Sequence, residues 1–325
     1  MADITRRSVL RAAAASFAAP LLIGTPARAA TRPGPLRVRV GSVRPPRAAL
    51  DAFTARTGVA VALVGAADPA PDLVVAPHDA VDAWRGAALR TTPAGAAAVD
   101  ALAPGMAALA ADWGGEGALR WLPAGWTTHG IAWREADWRP WSGAPSYADL
   151  WEAGDRAAGA PRALLLGAGL HLEATGALAP GKLWAAHGDD AAAATVWTKI
   201  EAWCAPRVAA LGAPGARTNE GAALALTDAG SAARLARSGA AIGFAAPAEG
   251  AVVRMYGFVA PASDRPHPFA DPFMAFFMER DGGMADWTGG GGMMDPDALL
   301  SLHALPAESA RHKALRQAVT ARLFG

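Results

Sequence analysis

Leu122-Pro123-Ala124-Gly125-Trp126-Thr127-Thr128-His129-Gly130-Ile131-Ala132-Trp133 lies near the middle of a 325-residue chain. Residues 121–123 and 130–133 read as extended segments, and the elements on either side of them alternate. Upstream, Leu-Arg-Val-Arg-Val at 36–40 has the period of a half-buried strand. Pro45-Pro46 then open a helix with Leu50, Phe53 and Ala55 as its apolar positions, which Gly58 ends. Residues 59–64 and the apolar run 72–76 read as further strands. Helices are expected through Val81 and Trp84 and over 96–110. Downstream, a helical turn at 148–151 precedes a short buried strand over 163–166. A long helix spans 191–211. Strands follow at 222–226, 240–244 and 252–259, with a helix at 232–237. Helices near 273–279, 297–303 and 307–323 close the chain. Strand and helix in alternation give an α/β fold with largely parallel sheets.

The first residues set the compartment. Arg6-Arg7, an alanine-rich apolar run over 12–23 and Ala27-Arg28-Ala29 have the order of a twin-arginine signal peptide with a small-residue cleavage site. The apolar run is too short to span a bilayer. Residues 1–29 are therefore expected to be removed, leaving a periplasmic, soluble protein that is not a lipoprotein. That cut takes away four arginines and one aspartate from 30 basic and 29 acidic residues, so the mature net charge is −2. No basic stripe suggests nucleic acid or an anionic membrane. The single cysteine, Cys204, forms no internal disulfide. The remaining length suits two domains.

Three segments carry a resemblance to the periplasmic spermidine/putrescine-binding protein family. Residues 122–133 are similar to that family's Pro-x-x-Trp-Gly-Thr-Thr-Gly-Ile-x-Tyr crossover. Tyr147-Ala148-Asp149-Leu150-Trp151 is similar to its Trp-x-Asp-Leu-Trp. The stretch from Gly230-Ser231-Ala232-Ala233 to Pro247-x-Glu249-Gly250-Ala251 resembles its Gly-Ser/Asp-Ala…Pro-x-Glu-Gly segment at a second crossover. The resemblance runs from about Leu36 to the end. It implies a type II periplasmic-binding fold: two α/β lobes, joined by two crossover strands, with a ligand cleft between them. Lobe 1 would comprise 30–129 and 251–300, and lobe 2 would comprise 130–250 and 301–325. The implied function is the substrate-binding component of an ABC transporter, with permease subunits as partners. A monomer without cofactor or metal is expected.

Departures from the family fall in the site. Gly41-Ser42-Val43-Arg44 replaces Trp-Thr-Glu. Ala76-Pro77-His78-Asp79 replaces Pro-Ser-x-Tyr. Arg254-Met255-Tyr256 stands for Trp-x-Asp. A cation wants carboxylates and ring faces, and an arginine in their place favours an anionic or zwitterionic solute over a polyamine. Between the second and third strands only residues 65–71 intervene where the family has a helix. One edge of lobe 1 is then thin, or those strands lie differently.

The candidate ligand-binding residues are Ser42, Arg44, His78, Asp79, Trp126, Thr127, Thr128, Glu173, Asp228, Arg254 and Tyr256. Arg44 and Arg254 could clamp a carboxylate or phosphonate, or be solvated. Tyr256 could bond a ligand oxygen or pack the hinge, and Asp79 could be a helix N-cap. Trp126 could form a ring wall or be core. Trp133, Trp138 and Trp141 are expected to pack near the hinge.

The alternatives are an exported enzyme and a ligand-sensing receptor subunit on the same fold. There is no Gly-x-Ser-x-Gly, no His-Glu-x-x-His and no dinucleotide fingerprint. His171-Leu172-Glu173 is a poor metal motif, Cys204 reads as a core residue, and Gly289–Gly292 lacks the Lys-Ser/Thr of a phosphate loop. Tyr147 and Tyr256 are not the adjacent pair that iron binders use. No catalytic residue is assigned.

Overall fold

The computed structural model describes residues 34–41, 43–67, 70–78, 121–141, 143–211, 221–261, 263–280, 285–286, 303–304 and 308–325. The helices expected near 81–84 and 96–110, and the glycine run at 289–292, lie outside these residues. So does the helix expected over 297–303, except at His303, which is in a strand.

The chain opens on strand β1 (Leu36–Arg39), whose Leu36 and Val38 are buried while Arg37 and Arg39 are half-buried. Helix α1 (Arg47–Thr57) follows Pro46 and stops at Gly58, whose φ of 72° is the left-handed conformation that glycine adopts without strain. Strands β2 (Val61–Val64) and β3 (Leu73–Pro77) both pair with β1 in parallel, so β1 lies between them. The short link between β2 and β3 thus crosses β1 without a helix, and all four residues of β2 are half-buried.

Strand β4 (Leu122–Arg134) is one element of 13 residues where two separate strands were expected. It joins the halves of the sheet, whose main order is β2-β1-β3-β8-β4-β6-β5. One edge of β4 pairs antiparallel with β8 (Val252–Val259) and then with β7 (Ile242–Ala245). Its other edge pairs with β9 (Ala285–Asp286) and then with β6 (Leu224–Asp228). Strand β5 (Ala157–Gly159) runs parallel to β6, and β10 (His303–Ala304) runs parallel to β8.

The expected strand over 163–166 is a helix. Ala163, Leu164, Leu165 and Leu166 belong to α3 (Pro161–Ala174), which follows α2 (Tyr147–Glu152) and β5. A run of three leucines has no period that separates a buried strand from a buried helix. Pro161 at the first helical position is the local signal that decides it. Helices α4 (Lys182–Ala185), α5 (Asp190–Val208), α6 (Ala229–Arg237), α7 (Ala270–Arg280) and α8 (Ala310–Phe324) complete the described fold.

Two hydrophobic cores flank the long strands. The first is built from β1, α1, β3, α7 and the adjoining parts of β4 and β8. Phe53 packs edge-on against Phe273 at 5.0 Å between centroids, and the indole N–H of Trp121 donates to the Ala76 carbonyl at 2.9 Å. The second contains Ile131, Tyr147, Leu165, Trp197, Ile200, Cys204, Leu224 and Val319. Cys204 is fully buried, and burial pushes its thiol up to about 12. Trp133 packs against Trp138 at 5.8 Å, whereas Trp141 is wholly exposed and packs no hinge. Its expected packing is thereby corrected. Among the described residues, no helix is long and apolar enough to cross a membrane.

Candidate functional site

Three strands end towards one place. Strand β3 ends at Pro77, opposite Tyr256 of β8. Strand β6 ends at Asp228, opposite His129 of β4, and β5 ends beside it at Gly159. Between these ends lies the β4–β8 ladder, with Gly125 opposite Tyr256, Thr127 opposite Arg254 and His129 opposite Val252. Directly paired residues share a face, and faces alternate along a strand. Thr127, His129, Val252, Arg254 and Tyr256 therefore share one face, and Trp126, Thr128, Val253 and Met255 the other. The carboxyl ends of strands in open α/β sheets are where ligands sit.

A pocket of about 200 Å³, open to solvent, lies on that first face. Arg254, Arg162 and His129 give it polar edges. Tyr147, Ala163, Leu166, Leu226 and Val252 line it with apolar surface. Arg162 is the second residue of α3. Pro161 has no N–H, and the first-turn N–H groups of Arg162 and Ala163 have no acceptor one turn earlier in the helix. Ala160, the N-cap residue, offers no side-chain cap and also lines the pocket. Arg254, Arg162 and the positive end of a helix thus border one pocket, the Arg162 guanidinium being paired with Glu308, and no carboxylate lies among the described lining residues. The arrangement suits an anionic group attached to a small apolar body.

Supports around the pocket are specific. The Arg162 guanidinium donates to Glu308 at 3.1 Å, and Arg316 donates to the same carboxylate at 2.9 and 3.0 Å. Burial raises the Glu308 carboxyl, but the Arg316 hydrogen bonds and the Arg162 charge outweigh it and hold the group below the usual carboxylate range. Tyr147 donates its hydroxyl to the Gly250 carbonyl at 3.2 Å, and burial raises its pKa, with Glu249 adding to the shift. Glu249 accepts from the Ser146 hydroxyl and the Tyr147 N–H and lies 2.9 Å from His171 Nδ1. This carboxylate ties the segment before β8 to the start of α2.

The residues named from sequence are not all brought together. Arg254 lines the pocket, and Tyr256 stands next along the same face, its ring centroid 5.8 Å from the guanidinium carbon. Thr127, opposite Arg254, is buried, and its hydroxyl has no hydrogen-bond partner among the described residues. Trp126 lies in the first core, and Trp126 and Thr128 occupy the opposite face of β4. His78 is fully buried, and its Nδ1 accepts the Met255 N–H at 3.0 Å, a tie between β3 and β8. Arg44 is exposed and does not line the pocket. Glu173 accepts the Leu183 N–H at 2.6 Å in the first turn of α4. Asp228 is the N-cap of α6, accepting from Ser231 N at 2.8 Å and from its hydroxyl at 2.6 Å. Ser42 and Asp79 lie outside the described residues.

His129 lines the pocket, as expected of the crossover, and Arg162 and Tyr147 are pocket residues beyond those named. Arg162 was hidden by reading its neighbours as a strand. Gly159-Ala160-Pro161, a strand end followed by a proline at a helix start, is the signal that finds it.

No family model matches the sequence, and no curated protein matches it. Solved structures do match. The Tp0655 (TpPotD) lipoprotein of Treponema pallidum superposes with a TM-score of 0.65 at 14% identity, covering 87% of this chain and 98% of that one. An ABC transporter solute-binding protein from Agrobacterium vitis S4, with bound D-mannitol, gives 0.61 at 16% identity over 89% and 93%. The spermidine/putrescine ABC transporter substrate-binding protein PotD from Streptococcus pneumoniae gives 0.57 at 14% identity over 90% and 97%. At such identities the likeness is one of fold, and the chain has the two-lobed α/β fold of the type II periplasmic solute-binding proteins.

Proposed function

We propose that this protein is the substrate-binding component of an ABC transporter, exported by the twin-arginine route and capturing a small anionic or zwitterionic solute for its permease. The observation that carries the reading is that Arg254, Arg162 and the α3 N-terminus border one pocket with no carboxylate among its described lining residues. A polyamine would meet like charge there. A carboxylate or phosphonate would meet planar, charge-assisted donors. Binding in this class works by closure: a solute touching both lobes stabilises the closed form, and only that differential contact shifts the population. On this reading the protein performs no chemistry, and Thr127, His129 and Tyr256 assist Arg254 in orienting the solute.

Protein recovered from a periplasm and denatured for small-molecule mass spectrometry tests the reading. A copurifying acid or zwitterion at near-stoichiometric yield, absent from the Arg254→Ala variant, is expected. A copurifying polyamine would overturn it.

A further inference from the structure

Glu308, the partner of Arg162, belongs to a second cluster of polar groups. His187 follows α4, and His312 is the third residue of α8. Both are buried, at 1% and 0% exposure, and their rings stack at 3.9 Å between centroids with 24° between planes. The Ser309 N–H donates to the His187 carbonyl at 2.9 Å and fixes the two elements together. Each ring has Nδ1 at 2.9 Å from a backbone carbonyl: His187 at Leu183 and His312 at Ala186. A carbonyl only accepts, and at His312 that contact is shorter than the 3.4 Å at which the Trp197 indole N–H approaches the same Nδ1, so each Nδ1 carries the proton and each Nε2 carries a lone pair. Both Nε2 atoms are buried and have no hydrogen-bond partner among the described residues. A buried acceptor without a partner calls for an explanation.

Glu308 supplies the third group. One ring nitrogen each of His187 and His312 and one Glu308 oxygen lie within 4.8 Å of one another. We propose that His187 Nε2, His312 Nε2 and a Glu308 oxygen form a binding site for a divalent transition-metal ion of the zinc class.

The chemistry fits on four counts. Imidazole with a carboxylate is a donor set that zinc accepts. Metal-binding histidines characteristically donate their other ring N–H to a carbonyl, as both do here. Both imidazoles are buried, so bulk water does not compete for their Nε2 atoms. Glu308 has room: two carboxylate oxygens accept about four hydrogen bonds, and Arg162 and Arg316 supply three. A tetrahedral ion with bonds of about 2.0 Å spaces its donors roughly 3.3 Å apart, so on binding the two rings turn out of their stack to aim both Nε2 atoms at the ion and Glu308 closes on it. The two arginines keep Glu308 ionised yet repel a dication. Micromolar affinity is therefore expected in place of the much tighter binding of thiolate zinc sites.

Calorimetric titration of zinc into tag-free, chelator-treated full chain tests the site, with His187→Gln, His312→Gln and, as a control, His267→Gln. One saturable equivalent in wild type and the control, lost or weakened at least tenfold in the other two variants, is the expected result. Absence of saturable binding, or undiminished binding in both site variants, would overturn it. Should the variants fail to fold, the visible spectrum of the wild-type cobalt(II) complex decides. Intense tetrahedral bands support a buried site, and the weak bands of an octahedral, water-bound ion contradict it.

Discussion

Thr127 and Arg254 stand directly opposite each other on the two long strands, at the level where β3, β5 and β6 reach their carboxyl ends. Every element of the pocket is measured from that pair: Tyr256 two residues along on one side, His129 and Val252 on the other, and the start of α3 facing them.

Arg254→Ala should weaken capture of the solute without unfolding the protein, because the residue is only half-buried and lies outside both hydrophobic cores. Losing a charge-assisted bond costs about 1.5–3 kcal/mol, or roughly ten- to a hundredfold in affinity. Calorimetry with whichever solute binds wild type measures it. Unchanged affinity would remove Arg254 from the site.

Gly257→Ala should destabilise the crossover. A Cβ at Gly257 would lie 2.4 Å from the Leu122 carbonyl oxygen and 2.5 Å from the Trp121 ring. Both belong to the buried centre of the fold, so neither yields easily. Overpacking of this kind costs about 1–3 kcal/mol. Urea denaturation should show it, and a change near zero would mean that the ladder relaxes freely.

Glu249→Ala removes the acceptor shared by the Ser146 hydroxyl and the Tyr147 N–H. Leaving such donors without a partner costs about 1–3 kcal/mol. Glu249→Gln, which keeps an acceptor oxygen, should lose less. Equal losses in the two variants would point to the charge as the important property.

Cys204 should be inert in the native state. With its thiol at about 12 and its side chain fully buried, the thiolate fraction at pH 8 is about a thousandfold below that of a free thiol. Alkylation kinetics across a denaturant series should follow unfolding. Rapid labelling of folded protein would contradict the packing of α5.

Much of the fold was legible because the strands announce themselves. Residues 252–259 read as a strand and are one, and the parallel β1–β3 set follows from short apolar runs between turn residues. The Arg254-Met255-Tyr256 segment stood out by its sequence and holds one residue that lines the pocket and one beside it. The rest depended on direction. Alternation along β4 sends Thr127 one way and Trp126 and Thr128 the other, which no sequence motif distinguishes without the register. Glu173 and Asp228 offered acceptors that nearby backbone N–H groups took up. His187 and His312 meet only because α8 packs back on α5, a contact far apart in sequence.

A thermal-shift screen of residues 30–325 and the Arg254→Ala variant tests the central claim most directly, using one panel of small carboxylates, phosphonates and amino-acid derivatives and one of polyamines. A solute at a hundred times its dissociation constant adds about 2.7 kcal/mol of stability. A rise in melting temperature with a member of the first panel, lost in the variant, is the predicted result. A rise with polyamines alone, equal in both proteins, would contradict the account.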